Sequence, residues 1–161
     1  MKNFNTNTGN SEVWLTPPEI IKALGPFDLD PCAPVNRPWD MAAKHYTELD
    51  DGLSKPWEGR VWLNPPYGKQ TFTWMERLSE HRDGIALIFA RTETKGFHKT
   101  IWQKAHSVFF FLGRLQFYYV TGKQGGTANA PSVLVSYSEN DTYKIAVAES
   151  AGDIKGRLVL L

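Results

Sequence analysis

The sequence predicts one α/β domain, and three observations carry that expectation. Short continuous apolar runs, Ile85 to Ala90 and Ser107 to Leu112 among them, have the length of buried strands and are too short for core helices. Segments with helical spacing stand between them: Phe72, Met75 and Leu78 within Thr71 to His81, then Phe97, Ile101 and Ala105. No internal repeat and no linker interrupts the chain, and 161 residues suit a single core. The expected division is a flexible polar arm over residues 1–12, rich in Asn and Thr, and one domain over residues 13–161.

Each element follows from local chemistry. Thr16 is a good N-cap, Pro17 suits the first helical position and Glu19 would complete a capping box, so a short helix should run to about Leu24 and stop at Gly25-Pro26. Phe27-Asp28-Leu29-Asp30 alternates apolar and acidic residues as a strand does. It ends in a turn of small residues, Pro31-Cys32-Ala33-Pro34. Asn36 to Tyr46 reads as irregular to weakly helical, and Asp50-Asp51-Gly52-Leu53 as a turn with paired acids. A strand over Arg60 to Leu63 precedes the Thr71 to His81 helix, and Arg91 to Lys95 is a charged connection. A helix to about Lys104 should follow, then the Ser107 to Leu112 strand and its continuation through Gly113 to Val120. Gly122 to Asn129 reads as a loop. Ser132 to Tyr137 and Tyr143 to Ala148 read as strands joined by a hairpin at Glu139-Asn140-Asp141, and Arg157 to Leu161 as a last strand.

Composition excludes several classes. No apolar run is long enough for a membrane span and no basic-then-apolar signal opens the chain. The single Cys32 cannot form an internal disulfide, which suits a reducing cytoplasm. The four histidines lack metal-binding spacing, so no metal is expected. A net charge of +1 argues against a uniformly basic nucleic-acid coat while leaving room for a local basic face.

The stretch with most chemical content is Val61-Trp62-Leu63-Asn64-Pro65-Pro66-Tyr67-Gly68. An apolar strand breaks at two prolines, each of which pushes its predecessor out of the helical region. The result is a stiff ledge that presents Asn64 and Tyr67. The Asn64 side-chain carbonyl and the Pro65 backbone carbonyl are two fixed acceptors, suited to the two hydrogens of an NH₂ group. Tyr67 adds a flat face for a planar base. An exocyclic amine of adenine is a poor nucleophile because its lone pair is delocalised. Drawing on both hydrogens favours a pyramidal nitrogen whose lone pair is available for attack on an electrophilic methyl.

With its neighbours, this ledge resembles the phage and prophage type of DNA adenine N6-methyltransferase, within the wider amino-methyltransferases that carry NPPY. The resemblance rests on TPPEII at Thr16 to Ile21, FDLDPCA at Phe27 to Ala33, DDGL at Asp50 to Leu53, NPPYG at Asn64 to Gly68 and GRLQF at Gly113 to Phe117, in that order. It implies a compact, trimmed Rossmann-like fold with a mostly parallel central sheet and an antiparallel C-terminal part. It also implies S-adenosylmethionine as methyl donor. Thr16 and Pro17 would then lie beside the methionine end, Asp30, Pro31, Cys32 and Ala33 under the cofactor, and Asp51 near its adenine. Asn64, Pro65, Pro66 and Tyr67 would hold a target adenine flipped out of double-stranded DNA. The chain departs from the wider superfamily in having DPCAP where a glycine-rich turn usually stands.

Too few residues separate Asp30 from Asn64 to hold a DNA-reading domain, so DNA contacts are expected from later loops: Arg91 and Lys95 in one, Arg114, Gln116 and Lys123 in the other. So small a set of base-reading groups suits a short recognition site or relaxed specificity, helped by a homodimer. Two alternatives share the sequence features: the same chemistry on an RNA adenine or a protein glutamine, and a non-catalytic nucleic-acid-binding accessory protein that keeps the fold.

Overall fold

The computed structural model describes residues 14–161, so the arm expected over residues 1–12 lies outside the described residues. Seven strands form one sheet in the spatial order Lys44–His45 (β2), Leu29–Asp30 (β1), Val61–Leu63 (β3), Gly84–Phe89 (β4), Ser132–Ser136 (β8), Ser107–Phe111 (β5) and Gly156–Leu160 (β9). Gln116–Tyr118 (β6) and Gln124–Thr127 (β7) pair separately as an antiparallel ribbon. The pairs β2–β1, β1–β3 and β3–β4 are parallel, whereas β8 runs antiparallel to both β4 and β5, and β9 antiparallel to β5. Five of the seven strands therefore point one way, with the antiparallel pairs confined to the C-terminal half.

Strand alternation sets the layering. Val61, Leu63, Ala86 and Ile88 face one side, where they pack with Trp74, Met75 and Leu78 of the helix Thr71–His81 (α2) and Phe97 of the short helix Lys95–Phe97 (α3). Trp62, Ile85 and Leu87 face the other side, against Ile20 and Leu24 of Pro18–Leu24 (α1) and Ile145 and Ala148 of Glu139–Ser150 (α4). Helices thus cover both faces, and the central strands are buried along their length, as the continuous apolar runs required.

Five expectations are corrected. Helix α1 begins one residue late: Pro17 is its N-cap with no side-chain cap, Pro18 opens it, and Thr16 is left free for another role. Asn36 to Tyr46 holds no helix, since Lys44 and His45 pair with Leu29 and Asp30 as β2. The Gly122 to Asn129 segment is half strand, because Gln124–Thr127 closes on β6. Tyr143 to Ala148 is helix, not strand. The Ser138 side chain accepts a bond from the Asp141 N–H, a cap that starts α4 where a hairpin was expected. Its inward positions, Ile145 and Ala148, are three apart, while Tyr143 and Val147 stay exposed. Beyond α3 the chain continues as a π-helical turn, His98–Trp102, in place of a regular helix to Lys104.

Candidate active site

From β1 the chain crosses to one neighbour, β2, and then returns past β1 to the other, β3. In a parallel sheet this reversal opens a crevice at the carboxyl ends of the two strands involved, because their connections leave in opposite directions. Asp30 ends β1, and Asn64 follows the last residue of β3. Both line one cavity of about 560 Å³ at that crevice.

The NPPY ledge is pinned from beneath and behind. Thr71, in the first turn of α2, donates its hydroxyl to the Pro66 carbonyl at 2.6 Å and accepts the Gly68 N–H at 3.0 Å. The Asn64 Nδ2 group donates to the Trp14 carbonyl at 3.3 Å and towards Thr16 Oγ1 at 3.5 Å. Both amide hydrogens are thereby used within the protein, so Asn64 can meet a ligand only as an acceptor through Oδ1. Tyr67 donates its hydroxyl to that oxygen at 3.2 Å, which leaves one lone pair for another donor. Phe89, at the end of β4, stacks on Tyr67 with centroids 4.2 Å apart and planes 8° apart, so one ring face is covered and only the opposite one could take a stacking ligand. Burial raises the Tyr67 phenol above its ordinary range and keeps it a neutral donor.

Asp30 is the second pole of the cavity. It is 3 % exposed, and desolvation raises its pKa to about 7 against the opposing pull of the Cys32 N–H, which donates to Oδ1 at 3.2 Å, and of the Arg37 charge. An acid so placed is short of positive charge. A cation delivered to it would restore the ionised form. Burial, with the Asp30 charge second, pushes the neighbouring Cys32 thiol up to about 12, so it is no nucleophile at neutral pH. Asp51 stands exposed at the cavity rim in a left-handed turn (φ 54°), a conformation that Asp tolerates better than most residues. Among the described residues no group of three or more His, Cys, Asp or Glu could hold a metal ion.

The cavity collects most of the residues singled out in the sequence. Thr16, Asp30, Pro31, Cys32, Ala33, Asp51, Asn64, Pro65, Pro66 and Tyr67 line it, while Pro17 is buried at the foot of α1 and does not. Trp14, Glu48, Gln70 and Trp74 also line it and were not anticipated. Gln70 and Trp74 sit in the ledge-to-α2 segment, and their signal was their distance of a turn or two from NPPY; apolar spacing alone assigns Trp74 to the core.

The expected DNA contacts fall into two groups. Arg91 is half-buried just past β4, its guanidinium 5.9 Å from the Phe89 ring centroid, and Lys95 is exposed at the start of α3. The other group lies on the β6–β7 ribbon. Gln116 accepts from Gln124 Nε2 at 2.7 Å, Lys123 is exposed in the turn, and Arg114 donates to the Ala128 carbonyl at 3.4 Å. The ribbon does not stand apart from the cavity, since Tyr118 pairs with Leu15 in an antiparallel bridge.

No helix among the described residues is long and apolar enough to cross a membrane. No curated protein and no solved structure gives a match to the chain. The family model described as DNA N-6-adenine-methyltransferase (Dam) matches residues 3–155. With a mixed α/β fold, a mostly parallel sheet and a match over nearly all of its length, the chain belongs to the DNA N-6-adenine-methyltransferase (Dam) family.

Proposed function

We propose that the chain transfers a methyl group from S-adenosylmethionine to the N6 amine of adenine in double-stranded DNA, on a trimmed Rossmann-like scaffold. One observation carries the reading: a single cavity joins a buried, cation-seeking carboxyl at the end of β1 to an amide after β3 that can only accept. The donor set fits the cofactor. Asp30 offers a carboxyl to its ammonium, Glu48 and Asp51 offer acceptors for its hydroxyls, and the volume lies within the range of small-molecule sites. When bound, S-adenosylmethionine supplies an electrophilic methyl on a sulfonium centre.

The chain's own residues do the rest. Thr16 holds the Asn64 amide, the small-residue turn Pro31-Cys32-Ala33 lets a ligand approach the sheet edge, and Pro17 sets the α1 entry behind Thr16. Asn64 Oδ1 and the Pro65 carbonyl take the two hydrogens of the target amine, so its lone pair points at the methyl. The free face of Tyr67 receives the adenine, which must leave the duplex to reach the cavity. Arg91, Lys95, Arg114 and Lys123 would neutralise phosphates and Gln116 would read a base edge.

The experiment is expression in cells that lack adenine methylation, followed by mapping of modified adenines at base resolution. N6-methyladenine at a defined short site is the expected outcome. Unmodified DNA, from a protein that binds S-adenosylmethionine saturably, would overturn the DNA substrate and turn attention to RNA or protein amines.

A further inference from the structure

The Asn64 amide works only one way round. With Oδ1 toward the target it accepts; rotated by half a turn, it would present an NH₂ group to another NH₂ group and repel it. Two acceptors fix the choice, and the Trp14 carbonyl, at 3.3 Å from Nδ2, is the nearer. Trp14 is in turn held by the β6–β7 ribbon at three points. Leu15 and Tyr118 exchange backbone bonds at 2.8 and 3.0 Å, the Trp14 ring lies 4.8 Å from the Tyr119 ring, and the same ring packs over bare backbone at Gly125. A Cβ on Gly125 would come within 2.6 Å of Trp14 Cζ3 and 2.9 Å of the Phe117 carbonyl, closer than packed atoms allow.

We infer that Trp14 is a positioning residue for methyl transfer, and that the β6–β7 ribbon sets it, so that the ribbon's placement decides which end of the Asn64 amide meets the target. The inference rests on the reading under Proposed function and adds to it a link from the ribbon to the reacting nitrogen. The ribbon carries Gln116, Gln124 and Lys123 on its exposed side and Trp14 on its inner side. DNA that shifts the ribbon therefore shifts the amide orientation, which couples recognition to chemistry over a short covalent and packed path.

The test compares two neighbouring glycines. Gly125 does not line the cavity, so Gly125→Ala leaves the donor site untouched while crowding Trp14. Gly126, one residue on, has nothing within 4 Å of an added Cβ and serves as the backbone control. Single-turnover methylation of a DNA duplex by Gly125→Ala should be slower by about tenfold or more, a misaligned acceptor being worth at least that. Donor affinity and half-saturating DNA concentration should stay within about twofold of the parent, because uniform binding is not what was removed. Gly126→Ala should match the parent throughout. A parental rate in Gly125→Ala, or a rate loss mirrored by equal loss of donor affinity, overturns the inference.

Should Gly125→Ala fail to fold, Tyr119→Leu loosens Trp14 from the ribbon side, and Tyr119 does not line the cavity. It is expected to give the same split between rate and affinity, and an unchanged rate in it overturns the inference equally. A parent protein that methylates no adenine in DNA sinks the reading under Proposed function. An active parent beside an unimpaired Gly125→Ala sinks only the link through Trp14.

Discussion

At the scale of single residues, the proposed mechanism divides the work between two side chains at the ends of adjacent strands, one to accept hydrogens and one to accept charge. Asn64→Ala removes an acceptor whose direction is fixed by both of its own amide hydrogens. Methyl transfer should fall by about 10²–10³, the usual loss for one preorganised partner of a reacting group. Donor affinity, measured by calorimetry, should hold, since Asp30 lies at the other pole; equal loss of both would show that Asn64 serves binding alone. Asp30 gives a prediction about pH. Its folded pKa, about 7, is raised above the ordinary 3.8 by burial, so the folded protein binds a proton that the unfolded chain releases. Stability is therefore lost as pH rises from about 4 to about 7, and the penalty is complete above that. Asp30→Asn keeps an acceptor for the Cys32 N–H and removes the charge. Thermal or denaturant unfolding should find it stabilised more at pH 8 than at pH 5, by roughly 2 kcal/mol, while donor binding weakens. A stabilisation independent of pH would mean that the carboxyl is ionised at no cost.

At the scale of elements, legibility depended on whether the signal was a short-range one. The Asn64-Pro65-Pro66-Tyr67 ledge was readable because two prolines constrain the backbone without help from the rest of the fold. The strand at Ile85 was readable because only a core strand tolerates such a run. The segment Tyr143-Lys144-Ile145-Ala146-Val147 reads as a strand although it is helix, because its β-branched and aromatic residues alternate, and alternation is a strand signal over so short a window. The Ser138 cap is a local signal, a bond to the N–H three residues on, but what decides for the helix is the burial of Asp141 against Arg60 and the Gly84 N–H, both far along the chain. The Trp14 and Gly125 contact was invisible for the same reason. Ser138 is accordingly the residue to test. Its hydroxyl accepts the Asp141 N–H at 3.1 Å and donates to Asp141 Oδ2 at 2.7 Å. Ser138→Ala should cost about 1 kcal/mol or somewhat more in denaturant unfolding, the ordinary worth of an N-cap plus a bond to a charged group. No measurable cost would mean that α4 is held by its packing against the sheet alone.

At the scale of the whole molecule, the sheet has a chemical end and a structural end. The cavity opens at the carboxyl ends of β1 and β3. At the opposite ends of the strands, Arg60 precedes β3 and Gly84 begins β4, and there a buried ion pair ties the layers together. Arg60 Nε meets Asp141 Oδ1 at 2.7 Å, Arg60 Nη1 donates to the Leu24 carbonyl at the end of α1, and Asp141 Oδ2 accepts the Gly84 N–H at 2.7 Å. One pair thus links α1, β3, β4 and α4. Removing one member leaves the other charged and buried without compensation, so Asp141→Ala should cost about 3–5 kcal/mol. Replacing both with apolar residues, Arg60→Met with Asp141→Leu, should recover a large part of that loss, because the desolvation of both charges disappears together. The spatial separation adds a second requirement: in conditions where Asp141→Ala remains folded, its donor affinity and methylation rate per folded molecule should match the parent. A variant that lost activity at parental stability would show that the two ends of the sheet are coupled, and that the staple belongs to the machinery of methyl transfer as well as to the fold.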